Sequence, residues 1–211
     1  MSNMHSTETS QVPTPEQIKE SISWWNTLSD AWKCAFNETM LRRTTTACPD
    51  EQDLFNIYQC QTLRLAGPTA PYPNMTFELE DLSGLKGLPN VTIVIVTFHK
   101  LDSLKELSGL KQITSLFLHN NQITSLEGIE DLENLGEIYF NVNQVTSLLP
   151  LSKLTSLHTV YCNYNRLTSF EGIGVQHRPN LKNFICLPND SIAETEVINM
   201  ERDLGIRCKK G

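Results

Sequence analysis

LKELSGLKQITSLFLHNNQITS (residues 104–125) runs directly into LEGIEDLENLGEIYFNVNQVTS (residues 126–147), and the two stretches agree column by column. Each opens on Leu104 or Leu126. Three, six and nine residues further on stand Leu107, Leu110 and Ile113 in the first, and Ile129, Leu132 and Leu135 in the second. Leu116 and Leu118 match Ile138 and Phe140. Asn121 matches Asn143, and Ile123 matches Val145. A fixed period of 22 residues signals a solenoid, because one such unit is too small to bury its own apolar face and stacking supplies the core.

The columns continue outward. From Leu148 they read Leu151, Leu154, Leu157, Val160, Cys162, Asn165 and Leu167. From Leu82 they read Leu85, Leu88, Val91, Val94, Val96 and Leu101, with His99 in the Asn position. The unit from Phe170 carries two extra residues around Val175–Pro179 before resuming with Leu181, Phe184, Cys186 and Asn189. Leu54, Ile57, Cys60, Leu63 and Leu65 fit one more unit, starting at Glu51 and lengthened by nine residues in the Pro-rich segment Pro68–Met75. Four units are regular and two are irregular. Inward residues two apart are the mark of a strand, so each unit contributes one rung of a parallel sheet, and the Asn turns the chain out of it while serving backbone groups of neighbouring rungs.

With these columns in place, the chain resembles leucine-rich repeat proteins of the 22-residue bacterial and phosphatase-regulator type over roughly residues 51–192. The resemblance implies an α/β fold: a right-handed leucine-rich repeat solenoid with a parallel concave sheet. It implies binding of a partner protein and no particular chemistry, since one scaffold serves many roles.

A solenoid needs its two ends closed. Thr14-Pro15-Glu16-Gln17 reads as a capping box with Pro at the first helical position. Ile18, Ile22, Trp25, Leu28, Trp32, Phe36 and Met40 then follow at helical spacing, which predicts one amphipathic helix plugging the first rung with Trp25 and Trp32 and leaving Trp24 partly exposed. The segment SISWWNTLSDAWKCAFNE resembles the helical leader of bacterial cytoplasmic leucine-rich repeat proteins. At the other end Ser191-Ile192-Ala193-Glu194 reads as a second capping box, Ala193, Val197, Met200 and Leu204 as a helical stripe, Gly205 as its left-handed stop, and IRCKKG as polar closure. The expected organisation is one continuous domain: a flexible tail (1–12), a helical N-terminal cap (13–50), repeats (51–192) and a helix/strand C-terminal cap (193–211).

The chain has 211 residues and a formal net charge of −7, which argues against nucleic acid as partner, since that needs a basic face. The start lacks a basic and apolar leader, and the longest apolar run, Val91–Phe98, is too short to span a bilayer. Six cysteines without a CxxC pair read as reduced thiols; Cys162 and Cys186 fall at equivalent inward positions of adjacent rungs, as a buried ladder. N-x-S/T sequons occur at Asn37, Asn74, Asn90 and Asn189, and a glycan at Asn90 is expected to clash with the following core strand. A cytoplasmic protein is the expected setting, with no membrane contact, no metal and no cofactor.

The outward strand positions define the candidate interface. One column reads Arg64, Ile95, Phe117, Tyr139, Tyr161, Ile185, and places three aromatics on successive rungs about 4.8 Å apart. Beside it lie Thr97, His119, Asn141 and Asn163 on one flank, and Glu137 and His158 on the other. Apolar anchors edged by hydrogen-bonding groups are what protein interfaces use. The expected contact set is therefore Ile95, Thr97, Phe117, His119, Glu137, Tyr139, Asn141, His158, Tyr161, Asn163 and Ile185. Its expected occupant is another protein, a toxin or an enzyme if the chain is an immunity or inhibitor protein, or a signalling enzyme if it is an adaptor or regulatory subunit; a purely structural surface protein is the alternative without such an occupant. The free chain is expected to be monomeric. The one constellation with catalytic residue types is His119, Glu137, Tyr139 and Tyr161, and no nucleophile elbow, phosphate loop or HExxH motif accompanies it, so no enzymatic activity is expected.

Overall fold

The computed structural model describes residues 12–71 and 74–211. Three helices come first, α1 (Pro15–Thr27), α2 (Asp30–Leu41) and α3 (Glu51–Tyr58). Six strands follow: β1 (Thr62–Ala66), β2 (Ile93–Thr97), β3 (Ser115–Phe117), β4 (Glu137–Tyr139), β5 (Thr159–Tyr161) and β6 (Asn183–Leu187). Helix α4 (Glu194–Asp203) and strand β7 (Cys208–Lys210) complete the chain. The seven strands form one parallel sheet in chain order, each paired only with its sequence neighbours. Short 3-10 turns at Ser83–Leu85, Lys105–Leu107, Leu149–Leu151 and Val175–His177 sit behind the sheet. The result is an α/β solenoid.

The columns read from sequence are the core. Leu116, Ile138 and Val160 are buried, as are Leu118, Phe140 and Cys162 beside them, and the leucines that open the units lie behind. The strand-end turn rests on the asparagine column. Asn143 donates from Nδ2 to Leu118 O on the preceding rung and to Phe140 O on its own, both at 3.0 Å, and its Oδ1 accepts from Ile123 N at 2.9 Å. Asn121, Asn165 and Asn189 repeat the arrangement, so each amide ties two rungs together. His99 departs from it. Its Nδ1 accepts from Leu79 N at 3.2 Å, its ring stacks on Phe77, and Nε2 is buried without a hydrogen-bond partner among the described residues.

The N-terminal helix differs from expectation. The 3/4 spacing runs on through Leu28, but Leu28 is extended and Ser29 caps a second helix, accepting from Trp32 N. The break lets α1 bury Trp24 as well as Trp25, and it leaves Ile22 and Met40 exposed. The Thr14–Gln17 capping box is present as read. Trp32 plugs the first rung, its Nε1 donating to Asp81 and its ring lying where a Cβ on Gly84 would stand, so only glycine fits there. Asn37 is buried and its amide donates to Thr45 O and Ala47 O, which fixes the turn toward α3. Within the Pro68–Met75 insertion, Asn74 donates to Pro68 O, and Thr76 just beyond is bound to the Glu38 carboxylate of α2.

At the other end, Ala193 rather than Ser191 is the N-cap of α4, with no side-chain cap, because the helix begins at Glu194. Met200 is buried, Gly205 takes φ +66°, and residues 208–210 form a seventh rung. Asn90 is exposed and hydrogen-bonds Gln59, so the expected clash at that sequon does not arise. No helix among the described residues is long and apolar enough to cross a membrane. The expected tail at residues 1–12 lies almost wholly outside the described residues.

Two measurements check this account. Asn143→Ala strands buried backbone groups on two rungs, so urea unfolding should show a loss of at least about 3 kcal/mol. Burial pushes the His99 imidazole down to about 4, Glu78 opposing. Between that value and the ordinary pKa near 6.5 the unfolded chain binds more protons than the native one, so stability falls as pH drops through this window, by about 3 kcal/mol in all. His99→Asn should flatten the fall by that amount.

Candidate functional site

Parallel pairing puts Arg64, Ile95, Phe117, Tyr139, Tyr161, Ile185 and Lys209 in one register column on the solvent side of the sheet. The three rings are mutually stacked: Phe117 and Tyr139 have centroids 4.6 Å apart and planes at 18°, Tyr139 and Tyr161 4.4 Å and 17°. Stacking covers the facing sides of the rings, and all three residues remain half-buried. Such a surface has little free ring face for a sugar or a cation. Each stacked pair also stabilises the sheet by about 1 kcal/mol.

A polar string runs along one flank. Glu137 Oε1 lies 4.0 Å from His158 Nδ1, which is 3.1 Å from Thr159 Oγ1. Asn183 donates to Thr159 Oγ1 at 3.4 Å and accepts from Lys209 Nζ at 2.8 Å. Gly136 makes room for His158, since a Cβ there would stand 2.9 Å from Nε2. On the other flank lie His119 and Asn141; His119 meets Phe98 edge to face. Across the outward positions of β2 to β5 and the residues just beyond them, Glu137 is the sole acid and there is no Lys or Arg, in a chain of net charge −7. The cations Arg64 and Lys209 stand at the two ends.

Eight of the eleven residues expected to form the interface reach the surface: Ile95, Phe117, His119, Glu137, Tyr139, Asn141 and Tyr161 are half-buried, and His158 is exposed. Thr97, Asn163 and Ile185 are buried and offer no contact area, which corrects the sequence reading. Residue 211 covers two of them, its N–H bonded to Leu187 O and its Cα side set against Ile185 and Asn163. Thr97 is in register with Ala66 and closed over by the loop at Gly67, whose N–H bonds its carbonyl at 2.8 Å.

His158, beside the constellation named from sequence, is not set up as a relay. Both Glu137 and Thr159 approach the same nitrogen of His158, whereas a proton relay needs them on opposite nitrogens. The Tyr139 phenol is pushed up by burial, with Glu137 adding to it, so it is held protonated rather than activated. Burial also moves the His119 imidazole down. Of the acids from Glu127 to Glu137, Glu127 pairs with Lys105 and Glu133 with Lys111.

Sequence reasoning missed a second row. Phe98, Asn120, Val142 and Tyr164, one per unit just before the asparagine position, all have positive φ, from 56° to 61°. The left-handed turn is what aims the following side chain inward. Asn tolerates it; a β-branched residue does so only under strain. Yet Val142 and Tyr164 stand there 41% and 54% exposed, as an apolar rim beside the aromatic column.

No family model matches the sequence, and no curated protein does. Solved structures do match. An internalin (inlF) of Listeria monocytogenes superposes with a TM-score of 0.53 at 20% identity, over 57% of this chain and 34% of that one. The fold is that of a leucine-rich repeat protein. Internalin C2 of the same organism matches over 82% of this chain and 88% of its own, with a TM-score of 0.50 and 18% identity. The chain thus spans about a third of the length of the first of these leucine-rich repeat structures and most of the second. These identities speak for the fold alone.

If the rim is strained as argued, Val142→Asn should raise stability by about 1 kcal/mol. A shift of the urea midpoint at unchanged m-value is the readout.

Proposed function

We infer that the chain is a non-catalytic binding module that holds another protein against its sheet face. The reading rests on the half-exposed stack of Phe117, Tyr139 and Tyr161 in a field with almost no charge. Rings at outward positions are not required for solubility, and with their faces turned on one another they present a continuous contact strip rather than a pocket. A 620 Å³ cleft between α1, Tyr58 and Lys86 and a 360 Å³ one beside Leu149 do not touch this strip. The contact set comprises Ile95, Phe117, His119, Glu137, Tyr139, Asn141, His158 and Tyr161, with Val142 and Tyr164 added at the rim.

Within that reading, the role of an immunity or inhibitor protein that occludes a toxin or enzyme is the specific version proposed, in a monomeric, cytoplasmic chain organised as one domain with caps at 13–50 and 193–211.

The test uses the full chain as bait in extracts of its source organism, with mass spectrometry of what it retains. Tyr139→Ala/Tyr161→Ala, shown folded by its unfolding transition, should lose the retained partner, at a cost of about 2 kcal/mol per anchor, or roughly thirtyfold each. Val142→Asn should weaken the same partner while the protein becomes more stable. Equal retention by wild type and both variants would sink the assignment to this face.

A further inference from the structure

Helix α1, Tyr58 of α3, and Lys86 and Gly87 just past the first 3-10 turn line the 620 Å³ cleft at the N-terminal end. Its volume falls in the range of small-molecule sites, roughly 300–1,000 Å³. Trp24 lines it and is only 6% exposed, and its Nε1 is buried without a hydrogen-bond partner among the described residues. Trp32, by contrast, gives its indole N–H to Asp81. A buried donor left unmade is costly, and native structures keep few of them.

The geometry shows where that donor is approached. Gly87 takes φ +93°, and a Cβ there would stand 3.2 Å from Trp24 Cδ1 and 3.9 Å from Nε1. The pyrrole edge of the indole therefore lies against a part of the cleft wall that has no side chain. Gly109, one period further on, also has positive φ (+83°), yet nothing lies within 4 Å of its Cβ position. The glycine belongs to the repeat and the indole to the cap, and the notch exists only where the two meet.

Two opposite charges line the same cleft. Glu20 and Lys86 are both exposed, and neither belongs to an ion pair among the described residues. The Tyr58 ring is half-buried, 5.6 Å from that of Trp24 with the planes at 52°, so the indole does not stack its face shut.

We propose that this cleft binds a small α-amino acid with an apolar side chain. The carboxylate sits in the Gly87 notch, accepts from Trp24 Nε1 and faces Lys86. The ammonium faces Glu20, and the side chain lies against the Tyr58 ring. Glu20 stands one turn before Trp24 on α1, about 6 Å along the axis. An ammonium and a carboxylate on one carbon bridge that span with the reach of the Glu20 side chain. An anion without the ammonium is repelled by Glu20. A cation without the carboxylate leaves the indole N–H and Lys86 unanswered. A ligand that carries both charges satisfies all three groups. The cleft does not touch the aromatic strip, so the proposal is independent of what binds the sheet face.

The experiment titrates the full chain with L-phenylalanine and follows the indole N–H resonances of its three tryptophans by NMR. One resonance, identified by its absence in Trp24→Phe, should move downfield while the other two stay. Phenylacetate, which lacks the ammonium, should bind at least tenfold more weakly, and phenethylamine, which lacks the carboxylate, should leave the resonance in place. Trp24→Phe and Lys86→Met should each weaken L-phenylalanine at least tenfold, and Glu20→Gln should bring it down to the level of phenylacetate. A Trp24 resonance unmoved by millimolar L-phenylalanine overturns the proposal, as does equal binding by wild type and Lys86→Met. Equal affinity for phenylacetate and L-phenylalanine overturns the assignment to an amino acid. Lys86 is exposed and its replacement leaves the cap intact, so the test holds even if Trp24→Phe loosens the packing of α1.

Discussion

Four successive rungs of this molecule each depend on one side-chain amide. At the end of each strand the chain must leave the sheet and turn behind it, which exposes backbone N–H and C=O groups inside a stack where water has no access. Asn121, Asn143, Asn165 and Asn189 meet them from both sides, donating to carbonyls of two successive rungs and accepting from an amide of the rung before. The apolar columns supply the driving force for stacking, but they are non-directional. The amides fix the register and spacing that put one outward residue above the next, and so create the aromatic column as a by-product of the turn.

The same demand accounts for the strain beside it. To aim an amide inward, the preceding residue takes a left-handed conformation. Asn120 does so readily; Phe98, Val142 and Tyr164 do not, and two of these three are well exposed. A local rule broken at the surface, with no gain to the core, is where function is to be sought. Here it adjoins a stack whose lack of charge suits a protein partner.

The repeat was legible because its chemistry is side-chain chemistry at fixed spacing: inward Leu, Ile, Val and Cys, then Asn. The rim was not, since Phe98, Asn120, Val142 and Tyr164 share a backbone requirement and no side-chain type. The break between α1 and α2 was hidden because Trp25, Leu28 and Trp32 keep helical spacing across it. Trp24 is buried only because the break turns α1. Thr97, Asn163 and Ile185 sit at outward positions as read, but their burial comes from the loop at Gly67 and from residue 211, which lie outside the period. The strand of the C-terminal cap was expected, but not its register as a seventh rung, since IRCKKG has no leucine column to set one.

Because each strand touches only its two neighbours in the chain, and each amide bridges only one step, the architecture is modular in a literal sense. Removing or duplicating one 22-residue unit between Leu104 and Ser147 would shift everything downstream by a single sheet spacing and disturb no distant contact. The length of the aromatic strip is therefore a variable separate from its composition, adjustable by whole increments of about 4.8 Å, while the two caps stay as they are.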